Sequence, residues 1–544
     1  MTFPRRMFVL IILLLSATPV LGQQSYDDLL AIHEELTELS QPERVDGVPD
    51  FSNGAVAARR AKLGQFPERL KRFDVEGWPV EQQVDYLLVW SRLNGLWFDH
   101  RVMKPWARDP LLYLYHVHSV PWTEVPESGE EATALDAELR AVPGAMAQAR
   151  ANLTQPVGEL ARLTIFLLEN FDGVGSREPY RDEPPDGTIG WYEDLCERLR
   201  TADSPLVERC RTATAAVAGY RDWLAENLAD MDEPVAIGRE NFNWYLTHVR
   251  LLPYDVDDLL RLGGREFHRY RYLYMVERNR NESLPELSLT RTAEQHAERT
   301  RQAEARIRRF IREQNLLDIP GYMPEEFETD TYWSPRALND RHFWEELQFR
   351  NALNNHIHAS VPGHRFDAKL REHLDSPIRR AHGESARAEG WATYLEELFV
   401  QAGITDDNPR ARELFYTALI KRGSRIFAEI GMHTGEMSVG EANAYMQDWV
   451  PYMEEDLGRY DLIGYLRRPG LGSMYITGKM QIEQLISERS FQQGEAFDLG
   501  DFHNDFLSRG IIPVTLIRWE MTGLSNEVRP LWQEVVGKPF ADPD

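Results

Sequence analysis

Two histidines, His358 and His364, bracket a Pro-Gly pair in the stretch HASVPGH, and imidazole is the commonest protein ligand for transition metals. A hydrolytic zinc helix carries its two histidines four apart on one face, with a glutamate directly after the first to take up a proton from water polarised by the ion. Here the histidines are six apart, which on an unbroken helix puts them about 120° off a common face, and the residue after the first is Ala359. Pro362 and Gly363 supply a remedy, because proline removes a helical hydrogen bond and glycine accepts unusual dihedrals. A bend at that step predicts that His364 swings back toward His358. The competing reading is a pair of hydrogen-bonded core histidines in a scaffold with no metal.

A third ligand must come from another segment. In SARAEGWATYLEELFV, residues Ala388, Trp391, Ala392, Leu395, Leu398 and Phe399 fall three and four apart and form one apolar stripe. Glu389 and Glu396, seven apart, stack along one edge of that stripe, while Glu397 points outward. That edge suits a carboxylate bound to a buried ion; it equally suits two half-exposed partners of arginines such as Arg387. Further on, RRPGLGSMYITGKMQIEQLI predicts a helix after Pro469 and Gly470 on which Tyr475, Lys479, Ile482 and Ile486 share a face. A phenol and an ammonium there suit an oxyanion or a substrate carboxylate, or else Tyr475 is core with its hydroxyl satisfied. His503 and Arg518, in DFHNDFLSRGIIPVTLIRWEM, are candidates for holding substrate, with structural roles as the default.

The elements that must position these groups read as helices. Apolar residues recur three and four apart over 25–39, 81–96, 207–228, 254–274, 293–315 and 408–428, so the expected class is mainly α with minor β, a small hairpin at most. Phe171 to Asp194, rich in Pro, Gly and Asp, reads as a long loop, and 120–130 as a shorter one. No repeat or low-complexity tract appears. A coarse division gives an N-terminal helical half over 23–235 and a C-terminal half over 236–544, and the residues with chemical promise all lie in the second.

Composition narrows the setting. The 544 residues are 42% hydrophobic, as in globular proteins. Arg5 and Arg6 precede an apolar run from Phe8 to Leu15 and a small-residue stretch ending near Gly22, the layout of a secretory signal peptide over 1–22. The mature protein is expected to be exported, periplasmic or secreted, with no membrane span after cleavage. A net charge of −26, from 87 acidic and 61 basic residues, argues against nucleic acid and anionic lipid as partners. Cys196 and Cys210 are either a disulfide pinning a helix-loop-helix or two buried thiols.

The ordered series RDPLLYL, GRENFNWYL, LGGREFHRY, HASVPGH, EGWATYLEEL, the PG…Y..GK run and FHNDFLSRGIIP resembles a bacterial family known as domain of unknown function 885, grouped with zincin-like metallopeptidases. The resemblance covers nearly all of the mature chain as one family-wide domain. It implies a large helical zincin-like body, with His358 and His364 as metal histidines, Glu389 as the carboxylate ligand and Tyr475 as the family's tyrosine. Zinc is the implied cofactor; iron is the alternative, since two histidines and one carboxylate also serve non-haem iron, and a site with no ion at all remains open. The implied partner is a peptide or small-molecule substrate in a cleft. This chain departs from the family pattern at Ala359, where glutamate is usual, at Asp367 and Leu471, where glutamine is common, and at Arg365, which replaces a frequent histidine. Losing a positioned base removes roughly two to four orders of magnitude of rate. The expectation is therefore a metallopeptidase-like protein whose hydrolysis is weak or lost, unless Glu396, His356 or Asp367 serves as a substitute base.

Overall fold

Ser25 accepts a hydrogen bond from the backbone of Asp28 while Asp28 reaches back to the Ser25 N–H, and this capping box starts the first helix of a computed structural model, α1 (Tyr26–Ser40). The structure describes residues 24–117, 124–126, 128–170, 185–327, 331, 333 and 338–538. The expected signal peptide, most of the long expected loop and part of the shorter one lie outside the described residues. What is described is mainly α, with one two-stranded antiparallel hairpin, β1 (Arg44–Val45) and β2 (Val48–Pro49).

The N-terminal half continues with α2 (Val80–Phe98), α3 (Gly129–Asn152), α4 (Gly158–Glu169), α5 (Gly187–Thr201) and α6 (Val207–Asn227). Gly187 starts α5 inside the stretch expected to be loop up to Asp194, because Trp191, Tyr192, Leu195 and Leu199 fall on one buried face. Cys196 and Cys210 form a disulfide joining α5 to α6, which settles the choice between bridge and thiols. The C-terminal half carries α7 (Val256–Arg280), α8 (Ala293–Glu313), α9 (Leu353–Ala359), α10 (His364–Arg371), α11 (Ser385–Gln401), α12 (Pro409–Thr434), α13 (Glu455–Arg467) and α14 (Leu471–Gln493). One cluster of buried apolar residues runs through both halves, from Leu29 to Val536. Among the described residues no helix is long and apolar enough to cross a membrane.

Three helices set the frame of the site. α12 is buried around nearly its whole circumference, α14 packs against it, and α11 packs against α14. The last contact is unusually close. A Cβ on Gly390 of α11 would stand 2.5 Å from the Gly478 backbone, and one on Gly478 of α14 would stand 1.7 Å from the Ala386 carbonyl oxygen. Glycine at both positions lets the two backbones touch, and that crossing brings Tyr475, one turn before Gly478, beside Glu389, the neighbour of Gly390.

Candidate metal centre

α9 stops at Ala359, where Ser360 leaves helical geometry and Pro362 follows through a cis peptide. The chain then doubles back: a Cβ on Gly363 would lie 1.8 Å from the carbonyl oxygen of His358, so the turn closes only with glycine there. α11 clamps the bend from the other side. Trp391 donates from its indole Nε1 to the Pro362 carbonyl at 2.9 Å, and Arg387 donates to both carboxylate oxygens of Asp367 at 2.9 and 3.2 Å. The expected swing of His364 toward His358 is thus present, and both rings turn their Nε2 atoms to Glu389 of α11.

The triangle of ligand atoms is small and nearly equilateral. Nε2 of His358 and Nε2 of His364 are 3.2 Å apart, and Oε2 of Glu389 lies 3.1 Å from His364 and 3.4 Å from His358. Zinc–nitrogen and zinc–oxygen bonds of about 2.0–2.1 Å at tetrahedral angles put ligand atoms about 3.3–3.4 Å apart. The three atoms therefore have the size of one face of a zinc tetrahedron, and they are the one group of three or more such side chains among the described residues that could hold an ion. The side chain of His364 is 32% exposed and that of Glu389 18%, so the fourth corner opens toward solvent. Burial alone would raise the Glu389 carboxyl; the charge of His364 and hydrogen bonds from both imidazoles outweigh it and hold the group well below the usual carboxylate range.

Glu396, two turns beyond Glu389 on α11, stands behind the centre rather than in it. Its Oε1 lies 2.8 Å from Nδ1 of His358 and accepts from Arg422 Nε on α12 at 2.9 Å. A carboxylate at that nitrogen favours the tautomer that leaves the Nε2 lone pair facing the triangle. Burial opposes the charge, but Arg422 and His358 keep Glu396 ionised, below the ordinary value.

The remaining expected site residues divide clearly. Tyr475 is at the site: its ring is nearly parallel to that of His358 at 6.4 Å between centroids, and its hydroxyl makes no hydrogen bond to a described residue. Burial, with the negative charge of Glu389 added, pushes that phenol up, so it is a proton donor at neutral pH. Lys479, one turn on, is drawn instead into an ion network with Glu397 at 2.9 Å and Glu483 at 2.6 Å. Glu397 does not point outward as expected; it is buried against Arg269, Tyr270 and Lys479. His356 faces the opposite side of α9 and pairs with Glu304, and Asp367 is spent on Arg387. His503 is buried between the Tyr394 hydroxyl at 2.9 Å and the Leu316 carbonyl at 2.7 Å. Arg518 pairs with Glu488 at 2.7 Å. Ala359, where a base would sit, is 2% exposed.

The site also takes in Arg422 and Arg425, absent from the expected set although they, with Lys421 and Glu429, interrupt the apolar run LFYTALIKRGSRIFAEI on α12. Charges inside a helix that is buried all round were the available signal.

No curated protein matches the chain. Among solved structures, a candidate lipoprotein of unknown function from Shewanella oneidensis is similar over 91% of this chain and 98% of its own, at 18% identity and a TM-score of 0.63. A candidate lipoprotein from Colwellia psychrerythraea is similar over 92% and 99%, at 14% identity and a TM-score of 0.65. At these identities the likeness extends to the fold. A family model matches residues 34–314 and 328–521, and the chain accordingly belongs to the bacterial proteins of unknown function grouped as DUF885.

Proposed function

We propose that this is an exported, metal-binding protein of metallopeptidase type that binds peptides at the solvent-facing side of the His358, His364 and Glu389 triangle and hydrolyses them weakly or not at all. The observation that carries the reading is the 3.1–3.4 Å triangle of His358, His364 and Glu389. When bound there, a divalent ion supplies Lewis acidity, polarising a carbonyl and acidifying water.

The chain's own residues supply the rest of the argument. His358, His364 and Glu389 hold the ion, and Glu396 with Arg422 fixes the ring of His358. Tyr475 keeps its proton and has an unengaged hydroxyl to offer an oxygen that gains charge. What is missing among the described residues is an acceptor for the proton of water. Ala359 has none, and Glu396, His356 and Asp367 are committed to Arg422, Glu304 and Arg387. A substitute base would have to break one of these pairs, so binding outlasts turnover in this chain. The test is peptide binding and chelator-sensitive cleavage by purified, metal-loaded mature protein. Micromolar binding with negligible cleavage is expected; cleavage at rates ordinary for zinc peptidases, on the order of 1 per second or more, would contradict the reading. Elemental analysis of the same sample separates zinc from iron.

A further inference from the structure

Beside the triad the protein buries hydrogen-bond donors that have no acceptor among the described residues. Arg425 is 4% exposed. Its Nη2 donates to Asp461 at 3.1 Å, but Nε and Nη1 are buried with no partner among the described residues. Asp461 is already shared, since it accepts from Lys421 at 2.7 Å. The guanidinium lies over the Tyr475 ring at 4.3 Å and 5.9 Å from the Tyr465 ring centroid. The Tyr465 hydroxyl is likewise buried with no partner among the described residues, and that of Tyr475 makes no hydrogen bond to a described residue. Two N–H groups and the Tyr465 hydroxyl are thus buried together with no acceptor among the described residues. Single orphaned atoms recur elsewhere among the described residues, as at Arg250 Nε and Arg410 Nε, but a guanidinium that lacks two partners beside an orphaned hydroxyl calls for an explanation in function.

Charge points the same way. Lys421, Arg422 and Arg425 of α12 face Glu389, Glu396 and Asp461, so the charge of a divalent ion at the triad stands uncompensated. Burial brings Lys421 down to about 7, and even its neutral form offsets that charge only in part.

We propose that Arg425, with the Tyr465 hydroxyl, recognises a free carboxylate of the bound molecule, so that the ligands of this site are short peptides or acylated amino acids held by their C-terminal end. The proposal rests on the metal reading for where the rest of the ligand lies, but not for the carboxylate pocket itself. Tyr475 connects the two: its ring is parallel to His358 and lies under Arg425, and this half-buried ring moves aside to admit the carboxylate to Nε and Nη1. Two charge-assisted hydrogen bonds from one guanidinium favour a planar carboxylate over an amide.

The test is titration calorimetry with N-acetyl-dialanine and its C-terminal amide, on zinc-loaded wild type with zinc content measured in the same sample. The free acid is expected to bind about tenfold more tightly than the amide or better. In Arg425→Met the two bind alike, and Arg425→Lys recovers part of the difference. Tyr465→Phe, which removes one oxygen and guards against a misfolded arginine variant, narrows the gap. Equal binding of acid and amide by zinc-saturated wild type overturns the proposal, as does an acid preference that persists undiminished in Arg425→Met and Tyr465→Phe. If wild type binds no zinc, the metal reading falls separately, and the same comparison on the metal-free protein still decides the carboxylate pocket.

Discussion

Oε1 of Glu396 lies 2.8 Å from Nδ1 of His358 and holds that imidazole from behind, with Arg422 bonded to the same oxygen. One helix, α11, therefore provides both a ligand to the centre and, two turns on, the carboxylate that orients another ligand. Glu396→Gln keeps the shape and removes the charge. Outer-shell partners of this kind are worth roughly 10–100-fold in metal affinity. Chelator competition should show zinc held that much more weakly in the variant, with the fold intact by circular dichroism. An unchanged affinity would place Glu396 outside the metal account.

Ala359 follows His358 at the end of α9 and offers no proton acceptor. Ala359→Glu restores a carboxylate at the position a hydrolytic zinc helix uses. Chelator-sensitive peptide cleavage should rise by roughly 10²–10⁴ over wild type, read as kcat/KM on a quenched fluorescent peptide. A variant that binds zinc and folds but cleaves no faster would show that the base is not what this chain lacks.

Gly363 sits against the His358 carbonyl with no room for a Cβ. Gly363→Ala must push the turn open, at a cost of about 1–3 kcal/mol or more for overpacking. Lower thermal stability together with lost zinc is the expected pair of results. Retention of both would mean that the turn tolerates a wider spacing than the 1.8 Å contact allows.

Glu397 gives a pH signature. Burial opposes its charge, but hydrogen bonds from Arg269 and the charge of Lys479 outweigh burial and hold it at about 2, below its ordinary 4.5. A carboxyl depressed in the folded state contributes stability that is complete above the unfolded value and is lost as pH falls from 4.5 toward 2. Glu397→Gln should therefore destabilise the protein at pH 7 and progressively less below pH 4.5, as measured by denaturant unfolding across that range. A pH-independent difference would assign the effect to packing rather than charge.

Much of this was legible in the residues. The Pro-Gly step between His358 and His364 predicted the bend, and the structure closes it by a contact that glycine alone permits. The apolar spacing over 25–39, 81–96 and 293–315 marks helices; α1 and α8 follow it with one buried face, whereas α2 is buried on every side from Gln83 to Ser91. Glu389 and Glu396 were placed on one edge of α11 by their spacing, but the two roles were not separable, because which residue faces a ligand atom depends on the approach of α9. The partnership of Glu396 with Arg422 joins positions 26 apart in sequence, and local periodicity carries no trace of it. Gly390 and Gly478 read only as small residues in helices until the crossing of α11 and α14 explains both. An apolar stripe implies an exposed opposite face and so an outward Glu397; α11 has no such face, being covered on that side by Arg269 and Lys479.

Metal content of the purified mature protein tests the central claim most directly. After incubation with zinc and removal of the excess, elemental analysis should find about one zinc per wild-type chain and almost none in His364→Ala, which removes one corner of the triangle. Equal zinc in the two proteins, or none in a folded wild type, would contradict the account.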